Sequence, residues 1–339
     1  MKLKQISAVF LLLAFLYFGL SSGAVPVRAE APHLSREASP ELSLHTPTAK
    51  TPAPVASPAP TFESEHTPPP ADTPVPETPR PTAAPSSVTV LSTTITSDSV
   101  LENDTGYSPD VQTLLDAGPG LSLPAEGYQV LLIHTHGTEA YTQDGTDVYE
   151  ESDDYRTTDS RYSVVRVGEE LADALRAYGL NVLHDEGLYD YPSYTSSYVR
   201  SGEAIAEYLE AYPGIIMVID LHRDALGDGD TIYKTVTTAE GMDAAQSMLV
   251  MGSDENLEHP LWETNLSLAL TLQNLANNRF PHLMRPVYLC PYRYNQQLTP
   301  GSPLMEVGTS GNTLQEAITA VKLFADAVGP TLASWVETA

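Results

Sequence analysis

Ile215-Ile216-Met217-Val218-Ile219-Asp220-Leu221 is the most strongly apolar run in the globular part of the chain, and it passes directly into His222-Arg223-Asp224. A short run apolar at successive positions buries both faces, so it reads as the central strand of a covered sheet. Working outward, Gly202–Ala211 has helical spacing and stops before Pro213, and Asn181–His184 is a short strand. Ser160–Tyr178 places Val164, Val165, Val167, Leu171 and Leu175 on one helical face, with Asp159 or Ser160 as cap. Gln129–His134 is a second buried strand. Downstream, Thr231–Thr237 and Ser247–Gly252 alternate as strands, Trp262–Asn278 is helical, and Pro286–Cys290 and Pro303–Val307 are strands. A last helix opens at Thr313-Leu314-Gln315-Glu316, a capping-box pattern. Strands alternating with helices predict an α/β three-layer sandwich, a mostly parallel sheet flanked by helices. Ligand sites in such sheets lie beyond the carboxyl ends of the strands.

Composition divides the 339 residues into three parts. Residues 1–30 begin with Lys2 and Lys4, continue into an apolar run from Ile6 to Leu20, and read as an export signal or membrane anchor. Residues 31–86 hold about half of the chain's 28 prolines and no apolar periodicity. Such a tract is an extended spacer, reaching on the order of 170 Å at roughly 3.1 Å per residue. Residues 87–339 form the one globular domain, which is expected to lie outside the cytoplasm. Of the 17 Lys and Arg and 44 Asp and Glu, the first 86 residues carry six and seven, so the domain carries nearly all the negative charge. That charge excludes nucleic acid as a partner. Cys290 is the only cysteine, so no intramolecular disulfide forms.

Polar groups suited to catalysis gather at three strand ends: His134-Thr135-His136-Gly137-Thr138-Glu139, Asp220-Leu221-His222-Arg223-Asp224 and Leu304-Met305-Glu306-Val307-Gly308. Catalytic zinc takes three protein ligands from imidazole and carboxylate and leaves a fourth position open. Candidate ligands for Zn2+ are therefore His134, His136, Glu139 and His222. His134 and His136, two apart, would share one face of an extended strand; one of them could instead hydrogen-bond a ligand. Asp220 either orients His222 or satisfies backbone at the strand end. Glu306 ends an apolar strand, where desolvation raises a carboxyl pKa toward working pH, and it is the candidate general base. A plain ion pair with Arg223 is its structural alternative. Arg223 and Asn295 either hold a substrate carboxylate or oxyanion or are solvated surface. Tyr191, Tyr194 and Tyr198 either line a groove or pack their own loop. His184, His259 and His282 read as structural.

Five ordered segments carry a family resemblance: VLLIHTHGTEAY (130–141), DYPSYTSSYVRS (190–201), VIDLHRDA (218–225), MLVMG with LWETNLSLAL (248–252 and 261–270), and YNQQLTPGSPLMEVGTSGNTLQEA (294–317). The lead-in NDTGYSPDVQTLL (103–115) fits as well. Together they resemble the stage II sporulation protein P family, related to zinc-dependent N-acetylmuramoyl-L-alanine amidases. The resemblance implies a membrane-anchored enzyme acting in the septal space during engulfment. Its substrate would be peptidoglycan, with stem peptides removed from glycan and cross-links cut as a second, endopeptidase activity. It also implies a partner glycan-cleaving enzyme and a membrane-embedded companion. The related amidases take a Glu from further along the chain, where no Glu stands near Asp159; Glu139 is nominated in its place.

Two other readings compete. A barrel-type amidohydrolase also uses His-x-His after its first strand, but it needs further metal-binding side chains on later strands. A tethered wall-binding or scaffolding protein with a vestigial metal site would keep the fold without the chemistry.

Overall fold

The computed structural model describes residues 88–227 and 230–338. The expected export segment (1–30) and spacer (31–86) lie outside the described residues. Among the described residues no helix is long and apolar enough to cross a membrane.

The decisive apolar run forms strand β5 (Met217–Asp224), within a seven-stranded sheet. Its parallel neighbours are β3 (Val130–Ile133) and β10 (Leu304–Thr309). All four β3 residues are buried, as an apolar run covered on both faces requires. Strand β4 (Val182–His184) adds to β3; β8 (Ser247–Gly252), β9 (Val287–Cys290) and β2 (Leu101–Asn103) extend the other side. The order is β2-β9-β8-β10-β5-β3-β4. The sheet is mixed: β8 meets β10 antiparallel, whereas the other neighbours are parallel. The cause is local. A parallel return needs a long crossover, commonly helical, and between β5 and β8 the chain makes only a hairpin of β6 (Thr231–Ala239) and β7 (Met242–Ala245). That hairpin joins β1 (Thr89–Thr93) in a separate three-stranded sheet. The seven-stranded sheet ends in β2 and β4 and does not close, which corrects the barrel alternative.

Side-chain alternation sorts the core into two layers. Val130, Leu132, Met217, Ile219, Leu221, Met305 and Val307 face one way and join the larger cluster. Helices α2 (Val164–Ala177), α4 (Trp262–Arg279) and α5 (Leu314–Ser334) pack there. Leu131, Ile133 and Val218 face the other way, against Ile205 of α3 (Ser197–Ala211). Each such fully buried aliphatic side chain contributes roughly 1.5–3 kcal/mol. Helix α1 (Val111–Ala117), outside these two layers, packs on the first cluster through Val111, Leu114 and Leu115.

Helix boundaries refine the sequence reading. Asp159 caps only a short 3₁₀ turn, Ser160–Tyr162; Ser163 caps α2, its Oγ accepting from Val165 N at 3.2 Å. Thr313 and Glu316 form the expected capping box at α5.

Candidate active site

The alternation that buries Val218 on the α3 side also turns Asp220 and His222 to that side, where α3 gives way to loops. Glu306 of β10 is the register partner of His222. After Glu306 the β10–β5 register shifts, and Gly308 takes φ +66°. A Cβ at Gly308 would lie 2.8 Å from the Ala245 Cβ and from the Asn312 Oδ1, so only glycine fits this bulge. Beyond β3 the chain soon leaves the strand: Thr135 to Thr138 turn, and Glu139 and Ala140 form isolated bridges.

His222 is buried between two carboxylates. Its Nε2 lies 2.9 Å from Asp220 Oδ1 and its Nδ1 3.5 Å from Glu139 Oε2. Burial opposes a charge on this ring, but Asp220 and Glu139 overrule it and hold the His222 pKa well above the usual imidazole range. The Asp220 contact is an ion pair at Nε2 and not a directed hydrogen bond. Asp220 accepts from Thr135 N at 2.8 Å and from Thr135 Oγ1 at 2.6 Å. Of the two roles foreseen for Asp220, the structure joins both: it fixes backbone and flanks the imidazole.

Burial alone would raise the Glu139 pKa; Arg223, His222 and Arg156 reverse this and keep it well below the ordinary carboxylate range. Glu306 is the opposite case. Burial and Asp224, with Glu139 adding to them, push its pKa to about 8 against the pull of His222 and Arg285. Its Oε2 is buried without a partner. The alternative of a Glu306–Arg223 ion pair is not formed. Arg223 instead gives Nε to Ala140 O and Nη2 to Tyr155 O, each at 3.0 Å, and its backbone N to Glu139 Oε2 at 3.2 Å. Arg223 is buried, which corrects the solvated reading. Asn295 likewise spends its amide inside, donating to Tyr198 O at 2.8 Å.

His134 and His136 part company, correcting the shared-face expectation: the strand stops at Ile133, so period two does not extend through them. His136 faces the site, its ring 5.3 Å from that of His222 and stacked on Tyr194 at 4.5 Å and 7°. Burial takes its pKa down to about 3, and its Nδ1 has no hydrogen-bond partner. His134 points to the α2 side, with Nδ1 3.0 Å from Leu221 O and Nε2 2.9 Å from His184 Nε2. Tyr198 stacks toward His222 at 6.4 Å and 11°, while Tyr191 and Tyr194 stay about half exposed. Thus His136, Glu139, His222, Asp220 and Glu306 come together, and His134 stands apart. Sequence reasoning missed Arg156, Asp190 and Thr135. Asp190 did sit in a quoted motif; nothing in spacing marks Arg156.

Among the described residues, no group of three or more His, Cys, Asp or Glu is drawn together as a formed metal site. The donor chemistry does fit a zinc ion. His136 Nδ1 is buried without a hydrogen-bond partner, and the anionic Glu139 lies 3.5 Å from His222 Nδ1, while Asp220 flanks the other ring nitrogen. These three residues would hold the ion, once His222 had released its proton.

The sequence model of the family described as Stage II sporulation protein P (SpoIIP) matches residues 76–329. The chain belongs to the stage II sporulation protein P family. A curated stage II sporulation protein P, from Bacillus subtilis (strain 168), is 26% identical over 212 residues, 58% of this chain and 49% of that protein. The chain therefore spans about half the length of that stage II sporulation protein P. Among solved structures, the N-acetylmuramyl-L-alanine amidase Ami1 from Mycobacterium smegmatis is similar with a TM-score of 0.37 and 16% identity, covering 62% of this chain and 98% of that one. The N-acetylmuramoyl-L-alanine amidase AmiC2 of Nostoc punctiforme gives 0.34 and 11%, over 62% and 98%. Likenesses this distant carry no argument about chemistry, which rests on the site itself.

Proposed function

We propose that this member of the stage II sporulation protein P family is a zinc-dependent peptidoglycan hydrolase of the N-acetylmuramoyl-L-alanine amidase type, with endopeptidase action on cross-links as a second activity. One observation carries the reading: an anionic Glu139, the buried imidazoles of His136 and His222 and a carboxyl pushed to about 8 meet at the carboxyl ends of parallel strands.

Bound there, zinc supplies Lewis acidity toward a carbonyl oxygen and toward water. The protein's own groups do the rest. Glu306 takes a proton from water on its unpartnered Oε2 and hands it to the leaving amine, help worth roughly 10²–10⁴ in rate. Asp220, locked by Thr135, keeps His222 oriented. Arg223 and Arg156 keep Glu139 ionised. Tyr194 and Tyr198 confine the planes of the two imidazoles.

In this proposal residues 1–30 anchor the protein in the cell membrane, residues 31–86 span outward, and residues 87–339 act in the septal space during engulfment. A glycan-cleaving enzyme would work on the strands it strips, beside a membrane-embedded companion; both partners come from the resemblance alone. The decisive test digests purified peptidoglycan with the full chain, with and without chelator, and reads products by mass spectrometry. Chelator-sensitive release of free stem peptides is expected, with cleaved dimers adding the endopeptidase. Strand binding without any release would instead favour the wall-binding reading.

A further inference from the structure

Of the three donors assigned above, His136 lies in a turn and Glu139 in an isolated bridge just past it, neither on a helix or a named strand. Loop donors hold productive geometry only if other side chains fix them. One residue reaches both. From Tyr141 to Tyr155 the chain makes an excursion, and its return pairs with its departure: Ala140 N donates to Tyr155 O and Thr157 N to Thr138 O, both at 2.8 Å. This sets Arg156 opposite Glu139 in an antiparallel bridge, so their side chains lie on the same face. Arg156 Nη2 then meets Glu139 Oε1 at 3.2 Å. Its Nη1 meets Asp190 Oδ2 at 2.6 Å and Thr138 Oγ1 at 3.1 Å.

Asp190 continues the chain of contacts. Its side chain is fully buried, accepts from Thr138 N and Oγ1, and lies 3.9 Å from His136 Nδ1. The Arg156 guanidinium also lies over the ring of Tyr194, 5.1 Å from its centroid, and Tyr194 is the residue stacked on His136. The arginine therefore bridges two carboxylates from different loops and backs the ring that sets the plane of His136. A planar fork with several fixed donors can serve all of these at once; an ammonium cannot.

We propose that Arg156 is a positioning residue, which fixes Glu139 directly and His136 through Asp190 and Tyr194 and so sets the affinity and geometry of the divalent-cation site. This rests on the zinc-site reading above. It places a determinant of that site at Arg156, on the segment returning from the 141–155 excursion and outside every strand end.

The test titrates metal-stripped full-length protein with Zn2+ by calorimetry, and with Co2+ by its visible absorption, for wild type, Arg156→Gln and Arg156→Lys. Loss of such supporting contacts typically costs 10–100-fold in metal affinity. Arg156→Gln is expected to weaken zinc binding by about that factor and to alter the cobalt spectrum. Arg156→Lys keeps the charge but loses the fork, and it should recover only part of the affinity. Thermal melts of the stripped proteins separate this from misfolding; should the Gln variant not fold, the Lys variant decides. Wild-type affinity and an unchanged cobalt spectrum in both folded variants would overturn the proposal. A wild-type protein that binds neither metal would instead overturn the zinc-site reading on which it rests.

Discussion

His134 and His184 meet ring nitrogen to ring nitrogen at 2.9 Å on the α2 side of the sheet, away from the proposed catalytic groups. The contact has a single consistent proton arrangement. Leu221 O can only accept, so His134 Nδ1 carries hydrogen. Burial takes the His134 pKa to about 3, so this ring is neutral and its Nε2 is an acceptor. His184 Nε2 must then be the donor.

An acid-sensitive term in stability follows. Burial, with Arg176 adding to it, lowers the His184 pKa to about 4 in the folded protein, below the ordinary value of 6.5. The unfolded chain therefore takes up the proton first, and this residue costs stability as pH falls from 6.5 toward 4. Other groups titrate in the same range, so a difference isolates the effect. Relative to His184→Gln, wild type should lose about 1–2 kcal/mol between pH 7.5 and pH 5, read from urea midpoints. Parallel pH curves for the two proteins would contradict the assignment.

Gly168 of α2 makes room for the same pair. A Cβ there would lie 2.5 Å from His134 Cε1 and 2.6 Å from Nε2. Gly168→Ala should cost about 1–3 kcal/mol by overpacking, despite the better helix propensity of alanine. Thermal and urea unfolding measure this, and an unchanged or raised stability would show that the rings have slack.

Glu306→Gln removes the proposed proton acceptor but leaves His136, Glu139 and His222 intact. Hydrolysis of peptidoglycan should fall by roughly 10²–10⁴ while zinc affinity stays close to that of wild type. Full activity in a zinc-loaded variant would dismiss Glu306 as the base.

Cys290 is buried, and burial pushes its thiol pKa up to about 11. Only the thiolate reacts. In the native protein at pH 8, labelling by a thiol reagent should run at least on the order of 10² slower than in urea. Rapid stoichiometric labelling of folded protein would show that the β9 end opens.

What the sequence disclosed tracks how strongly burial marks it. Strands β3 and β5 are covered on both faces, so their apolar runs were unmistakable, and the Thr313–Glu316 cap is written in adjacent residues. Strand β1 is largely exposed, with no alternation to betray it. Period-two reasoning placed Asp220 and His222 together because β5 continues to Asp224. The same reasoning failed for His134 and His136 because β3 ends at Ile133. Arg156 was invisible for another reason: its approach to Glu139 depends on backbone pairing after a long excursion, and no local spacing encodes that.

That excursion has a practical consequence. Its ends are stitched by the two 2.8 Å backbone bonds beside Arg156, and its tip, Asp144-Gly145-Thr146-Asp147, is mostly solvent-exposed. Doubling a flexible loop costs only about 0.6 kcal/mol in closure entropy. Extra residues at Gly145 can thus be carried without shifting the stitched ends, and a peptide tag or fluorophore carrier spliced there would report the protein's whereabouts.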